Sequence, residues 1–278
     1  MKAKVTLIFC LITASLLAQS PMTYVNDRDQ THLCGPISIE DLQTDSLKVW
    51  YDKNYDALSL SKKPNKWKKN LKKTTVDIYL GTWCGDSKKY VPQFIKLWEE
   101  LGLNTDQLNF IALYGGSEKT KQGPNGEEKG KKIHRVPTFI FNQDGKEYAR
   151  IVERPGTDLE IDIAQIALGY ASTPKYGAAN YMLDMFANHS LQDIEKDYRK
   201  HVNTAYRLAG RSSSELNTLG YVLLRAGKID EALITFMYNT RLHKYEPNVY
   251  DSYGEALALK GDIDQAIINY EKVLEIDP

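Results

Sequence analysis

The sequence predicts an α/β domain followed by an all-α domain of helical repeats. Two observations carry this prediction: strand-like and helix-like segments alternate between residues 75 and 169, and residues 178–278 read as helix and repeat themselves. The chain has 278 residues, of which 42% are hydrophobic and 26% charged, and this is enough for two globular domains. Its 36 basic and 36 acidic residues cancel. A dedicated nucleic-acid binder, which usually carries a basic excess, is therefore not expected.

Residues 1–19 have the pattern of a signal peptide. The lysines of MKAK precede a run of 14 uncharged residues, VTLIFCLITASLLA, and small residues follow it. That run is shorter than the roughly 20 residues of a membrane-spanning helix. Cys10 lies inside the run, after the bulky Phe9, which argues against lipid attachment. We expect an exported protein, periplasmic or secreted, that keeps Cys34 and Cys84 in a compartment where disulfides can form.

The α/β domain is predicted over residues 37–170, after an N-terminal segment, 20–36, that reads as a loop or extended lead-in. Residues 115–132 are predicted to form a loop, with at most one short helix, and 171–177 a linker. The predicted elements are, in chain order, a helical stretch at 38–60, a strand at 75–80, a helix at 86–101, strands at 108–113 and 137–141, a hairpin turn at 142–145, a strand at 146–152 and a helix at 157–169.

The helical domain, residues 178–278, repeats with a period of 34 residues. GKIDEALITF at 227–236 aligns without gaps with GDIDQAIINY at 261–270. Gly220 and Gly254 are also 34 positions apart, and small residues at such positions let two helices approach closely.

This pattern resembles the tetratricopeptide repeat family, whose helix pairs have this period. The clear repeats are 213–246 and 247–278, and residues 178–210 are predicted to be a degenerate first repeat. The resemblance implies a concave surface that binds a protein partner.

The stretch GTWCGDS, residues 81–87, follows the first predicted strand of the α/β domain and opens a helix. A cysteine just ahead of a helix points its sulfur at unpaired N–H groups and at the positive end of the helix dipole. Both favour the thiolate, which is the nucleophilic form. Asp86 opposes this effect, because its carboxylate repels a nearby thiolate. Cys84 is therefore a candidate nucleophile.

The string WCGDS at 83–87 resembles the Trp-Cys-Gly-x-Cys active site of the thioredoxin family, and VPT at 136–138 resembles that family's cis-proline loop. The resemblance covers about residues 37–169 and is close to exported bacterial proteins that carry GTWCGDS. It implies a thioredoxin fold and thiol–disulfide exchange with protein or peptide thiols and disulfides. The implied site residues are Cys84, Ser87 and Trp83 for catalysis and Val136, Pro137 and Thr138 for the substrate groove.

Two positions depart from the thioredoxin pattern. Ser87 replaces the second cysteine, and its hydroxyl can hydrogen-bond the thiolate but cannot form the second S–S bond. The buried acid of the family lies six residues before the first cysteine, where this chain has Ile78. Asp77 is one residue away and is expected on the other face of the sheet, so that role is not transferred to it.

Three interpretations follow. In the first, Cys84 attacks a disulfide and Cys34, in the N-terminal segment, resolves the mixed disulfide. In the second, Cys84 works as a monothiol, and an external thiol resolves its mixed disulfide. In the third, the domain is redox-inert and binds clients or peptides, and the repeats carry the function. We favour redox chemistry, because a helix-capping cysteine beside Trp83 and the Pro137 loop points to a functional site. No cofactor is expected, and no metal either, since the spacings of His32, Cys34, Cys84 and His134 match no zinc pattern.

Overall fold

The structure, a computed structural model, describes residues 21–61 and 66–278. The predicted signal peptide lies outside the described residues. Within the described part of the chain, no helix is both long enough and apolar enough to cross a membrane.

The N-terminal part is built on a mixed sheet. Its strands are β1 (Met22–Val25), β2 (Thr31–Ile37), β3 (Thr75–Leu80), β4 (Leu108–Ala112), β5 (Thr138–Gln143) and β6 (Lys146–Val152). They lie in the order β1-β2-β4-β3-β5-β6. β3 and β4 are parallel, and every other neighbouring pair is antiparallel. The strand predictions for the segments that form β3 to β6 are therefore confirmed, since β3 and β6 have the predicted ends and the ends of β4 and β5 differ by at most two residues.

Among the residues that the structure describes, four α-helices accompany the sheet: α1 (Ile39–Leu42), α2 (Asp45–Asp56), α3 (Gly85–Glu100) and α4 (Leu159–Ala167). Short 3-10 helices span Lys66–Leu71 and Thr105–Gln107. α3 forms because its apolar residues recur at helical spacing, which buries Phe94 and Trp98 against the sheet. The ring of Phe94 stacks on that of Phe139 in β5, with centroids 4.6 Å apart. The main core of the α/β part therefore lies between α3 and the sheet.

The two faces of the sheet are covered differently. Ile78 points into the main core with the helices, whereas Tyr79 joins a smaller cluster with Leu113 and Val136. The chain between β4 and β5 supplies that second cover, and Tyr79 donates a hydrogen bond to the Glu127 carbonyl, 3.0 Å away. The expected loop there is confirmed, and its described residues form turns rather than a helix.

The N-terminal segment differs from its prediction. Residues 22–37 form a β-hairpin, and β2 joins the main sheet by pairing with β4. The alternative of a loop at Cys34 is therefore wrong, because this residue lies inside β2 opposite Met22 and is 2% exposed. β2 forms because its apolar side chains are buried on the sheet.

The C-terminal part is helical. Its helices are α5 (Gly177–Asn188), α6 (Leu191–Lys196), α7 (Tyr198–Leu208), α8 (Ser214–Arg225), α9 (Ile229–Leu242), α10 (Pro247–Lys260) and α11 (Ile263–Ile276). α8 with α9 and α10 with α11 are the two helix pairs expected from the 34-residue period. Residues 178–210, expected to be one degenerate repeat, instead contain three helices, because Ser190 caps a short extra helix, α6, by accepting from the Asp193 N–H.

The first helix of each clear repeat approaches the second closely. A Cβ added to Gly220 would lie 2.4 Å from Cε1 of Phe236, and one added to Gly254 would lie 2.9 Å from Cε1 of Tyr270. These contacts confirm the packing role predicted for the two glycines.

The helical part contacts the α/β part through loops of the latter. Gln122 donates a side-chain hydrogen bond to the Arg225 carbonyl, 2.7 Å away, at the end of α8. Arg135 donates to the Ser214 carbonyl, 2.8 Å away, at the start of the same helix. α8 is therefore held at both ends by the chain that covers one face of the sheet.

Candidate functional site

Cys84 lies between the end of β3 and the start of α3. It is the N-cap residue of α3, with extended backbone angles, and its side chain makes no capping hydrogen bond. The thiol instead donates to the Val136 carbonyl, with Sγ 3.2 Å from the oxygen. The Val136–Pro137 peptide bond is cis. The structure thus brings together the two motifs, 52 residues apart, that the sequence singled out.

Trp83 lies in a cradle made by two glycines. A Cβ on Gly81 would come within 2.5 Å of its ring, and one on Gly115 within 2.7 Å. The indole Nε1 donates to the Leu113 carbonyl, 3.0 Å away. Only glycine at both positions leaves room for this ring, and its hydrogen bond holds the indole at the chain that follows β4.

Ser87 is fully buried, and its contact differs from the expected one. Its Oγ accepts the Gly81 N–H, 3.1 Å away, and so ties the first turn of α3 to the end of β3. The expected hydrogen bond to Cys84 is not formed in this structure, since the Cys84 thiol bonds to Val136. Ser87 fixes the position of the loop that carries Cys84.

The three residues predicted for the groove, Val136, Pro137 and Thr138, all have buried side chains. Thr138 donates its hydroxyl to the Arg135 carbonyl, and the Pro137 carbonyl accepts the Glu153 N–H. What this loop presents to Cys84 is therefore the Val136 carbonyl oxygen rather than a side chain.

Two cationic side chains flank the site, and sequence reasoning missed both. The Lys121 ammonium lies 5.6 Å from the Trp83 ring centroid, and Arg135 faces the Tyr176 ring at 4.7 Å. Arg135 also forms an ion pair with Glu153, with the two atoms 3.3 Å apart. Burial, with the nearby Arg135 charge, lowers the pKa of Lys121 to about 8. Among the described residues, no carboxylate lies within 4 Å of the Lys121 ammonium.

No motif signals Lys121 or Arg135 in the sequence. They come from the loop between β4 and β5, and only the folded chain shows that this loop returns to Cys84. Backbone hydrogen bonds between Tyr114 and residues 121–122 close the start of the loop, which sets Lys121 over Trp83.

His134 is buried between this loop and the helical part. Its ring meets the Tyr176 ring edge to face, with centroids 5.8 Å apart, and neither ring nitrogen has a hydrogen-bond partner among the described residues. Burial, helped by the nearby Arg135 charge, lowers the pKa of His134 to about 3. The imidazole is therefore neutral near pH 7.

Cys34 and Cys84 are both free thiols in this structure, and their surroundings differ. Cys34 lies beside Tyr114, and hydrogen bonding with Cys34, together with burial, raises the pKa of the Tyr114 hydroxyl. The thiol of Cys84 faces Val136 instead. The structure therefore does not bring the two cysteines together as a bonded pair.

His32 ties the N-terminal hairpin to the motif. The His32 Nε2 lies 3.0 Å from the side-chain amide nitrogen of Asn26, and the side-chain oxygen of Asn26 already accepts backbone N–H groups. Nε2 must therefore accept, and Nδ1 must carry the proton that reaches Thr82 Oγ1, 3.3 Å away. The Leu33 N–H donates to the same hydroxyl. His32 and His134 thus serve separate contacts, and among the described residues no group of three His, Cys, Asp or Glu side chains is arranged to hold a metal ion.

The comparisons with known proteins bear on the helical part. The family model of the tetratricopeptide repeat matches residues 247–278, which correspond to α10 and α11. No curated protein matches the chain. Residues 247–278 therefore form a tetratricopeptide repeat, and this repeat indicates interaction with a protein partner.

Proposed function

We propose that this protein is an exported, thioredoxin-like protein that exchanges thiols and disulfides through Cys84, while its repeats bind a protein partner. The observation that carries the proposal is the position of Cys84, at the start of α3 with its sulfur 3.2 Å from the carbonyl that precedes Pro137. A thiolate formed there gains from the α3 N-terminus, because its unpaired N–H groups and dipole favour negative charge.

The proposed reaction begins when the Cys84 thiol loses its proton to water. The thiolate attacks one sulfur of a client disulfide, so that a bond forms between Cys84 and that sulfur. The client S–S bond breaks and its electron pair leaves on the second client sulfur as a thiolate. A thiol from solution, after losing its proton to water, then attacks the client sulfur of the mixed disulfide. A disulfide forms between that thiol and the client, and the electron pair of the broken bond returns to Cys84 as its thiolate.

The monothiol route is better supported than resolution by Cys34. Cys34 is buried in β2, paired with β1, and must leave the sheet before it can meet another sulfur. Ser87, bound to the Gly81 N–H, cannot form an S–S bond. An external thiol is therefore the proposed resolving partner.

The rate of mixed-disulfide formation at Cys84 tests the proposal. The reduced full chain reacts with 2-hydroxyethyl disulfide at neutral pH, and the product is read on the Cys84 peptide by mass spectrometry, so the other cysteines do not interfere. We expect this peptide to form the mixed disulfide faster than free glutathione does, and we expect Cys84→Ser to abolish its formation there. A rate no faster than that of glutathione, or no mixed disulfide at Cys84, would overturn the redox proposal.

The second candidate is a redox-inert module that acts through its repeats. One observation favours it: the Cys84 thiol donates a hydrogen bond to the Val136 carbonyl, and attack on a client disulfide would break this contact. In that case Cys84→Ser leaves partner binding by the repeats unchanged and there is no exchange activity to lose.

Export is tested separately, by cell fractionation and the mass of the mature N-terminus, with removal of residues 1–19 as the expected result.

A further inference from the structure

We infer that Lys121 is a specificity-determining residue at the Cys84 site and selects client disulfides that carry a carboxylate near the sulfur. This inference rests on the proposed function, since it concerns which disulfide Cys84 attacks.

The first step in the argument is position. The Lys121 ammonium lies over the ring of Trp83, the residue next to Cys84, at 5.6 Å from the centroid. That ring has no freedom to move away, because Gly81 and Gly115 enclose it and Leu113 accepts its N–H. The ammonium therefore lies over a ring one residue from Cys84, close enough that a charge on Cys84 acts to raise the pKa of Lys121.

The second step is that the loop fixes the lysine. The Lys121 N–H donates to the Tyr114 carbonyl at 2.8 Å, and the Tyr114 N–H donates to the Gln122 carbonyl at 2.9 Å. Gln122 in turn is bound to the end of α8. The backbone on both sides of the lysine is thus anchored, so the loop loses less conformational entropy when an anion binds there.

The third step is the charge balance. Glu153 neutralises Arg135 at 3.3 Å, whereas the described residues offer Lys121 no carboxylate within 4 Å. Lys121 is only partly exposed, so water screens its charge less than that of a surface lysine. An anionic group on a client fits this unpaired charge, and a cationic group is repelled by it.

Three small disulfides of similar length test the inference: dithiodipropionate, which is anionic, 2-hydroxyethyl disulfide, which is neutral, and cystamine, which is cationic. The rate of mixed-disulfide formation is read at the Cys84 peptide of the reduced full chain at low salt. We expect the anionic probe to react fastest and the cationic probe slowest. In Lys121→Met, the ratio of the anionic to the neutral rate should fall by roughly three- to fivefold.

Lys119→Met is the matched control. Lys119 lies in the same loop and also faces a ring, that of Tyr114 at 5.4 Å, but it is exposed and away from Trp83. The Lys119→Met substitution removes the same charge, and the ratio of the anionic to the neutral rate should stay within a factor of two of the ratio in the unchanged protein. Lys121→Arg should keep most of the preference, because it keeps the charge.

The ratio separates specificity from reactivity, since a change in the thiolate population alters all three rates together. An equal fall in the ratio for both Met variants, or no fall in Lys121→Met, overturns the role of Lys121 while Cys84 still reacts. If Cys84 in the unchanged protein reacts with none of the probes, the proposed exchange activity itself is overturned.

Discussion

At the scale of single residues, the site is a set of side chains held by backbone groups. Cys84 bonds to the Val136 carbonyl, Ser87 to the Gly81 N–H, and Trp83 to the Leu113 carbonyl. The sequence predicted Cys84, Trp83 and Pro137 as residues of the candidate site. It did not predict which backbone group each side chain meets, because those groups come from chain segments whose separation only the fold determines.

His134 should make the stability of the protein pH-dependent. Its pKa is lowered to about 3 by burial, from about 6.5 in an unfolded chain. The folded state therefore favours the neutral ring, so this stabilisation is complete above pH 6.5 and is lost as the pH falls below it. Between pH 7 and pH 5 the loss due to this residue should be about 2 kcal/mol in the free energy of unfolding.

Urea unfolding of the unchanged protein and of His134→Leu at both pH values measures that loss as the difference between their pH dependences. Burial also lowers the pKa values of His32 and His201, so both proteins should lose stability on acidification, and the unchanged protein should lose more. Equal losses would mean that the protonated His134 ring finds water or a partner in the folded state.

At the scale of elements, patterning predicted the secondary structure well wherever one face of an element is buried. β3 was predicted with its observed ends, and α3 within one residue, because both alternate apolar and polar residues at a clear period. β1 and β2 were missed as strands. β2 contains Gly35-Pro36, and Asn26 and Asp27 follow β1 directly, and all four residues are turn-forming types. The strand structure of β2 depends on pairing with β4, far along the chain, and that of β1 on pairing with β2.

The two equivalent repeat glycines should respond differently to substitution. Gly220→Ala places a Cβ 2.4 Å from Phe236, which is fully buried and has no room to shift. Overpacking should cost about 1–3 kcal/mol. Gly254→Ala meets Tyr270, which is 38% exposed and can turn outwards, and alanine favours the helix by about 1 kcal/mol over glycine.

Urea unfolding monitored by circular dichroism tests this pair. Gly220→Ala should lower the midpoint clearly, and Gly254→Ala should leave it nearly unchanged. A similar loss in both variants would show that Tyr270 is held as firmly as Phe236, against the exposure of its ring.

At the scale of the whole molecule, the contact between the two parts includes an arginine that lies beside the candidate site. Arg135 joins Glu153 of the α/β part, the Tyr176 ring and the Ser214 carbonyl of α8. The sequence predicted two parts and the linker between them, but no pattern in it specifies how the parts pack, because the contact uses loop residues without periodicity.

Removal of Arg135 should loosen this contact. Arg135→Ala removes the nearer of two arginines paired with the largely buried Glu153 carboxylate and leaves it with the Tyr176 hydroxyl and with Arg154, whose Nε lies 4.0 Å away. This should cost about 1–3 kcal/mol and raise the rate of proteolysis in the exposed stretch 168–173 several-fold. Lys132→Ala is the matched control, since its ion pair with Asp184 joins the same two parts but is exposed and contributes little. Limited proteolysis of the full chain compares the two. Equal cleavage rates would mean that Arg135 contributes no more than a surface charge.

The attachment of α8 at both ends restricts how the two parts can move. Ser214 and Arg225 are 11 residues apart, so their carbonyls are separated by about 16 Å along the helix. A single contact would act as a pivot and allow swinging in every direction. Two contacts oppose swinging of α8 about either one of them, and the ion pair between Lys132 and Asp184, which lies away from α8, opposes rotation about the axis of that helix.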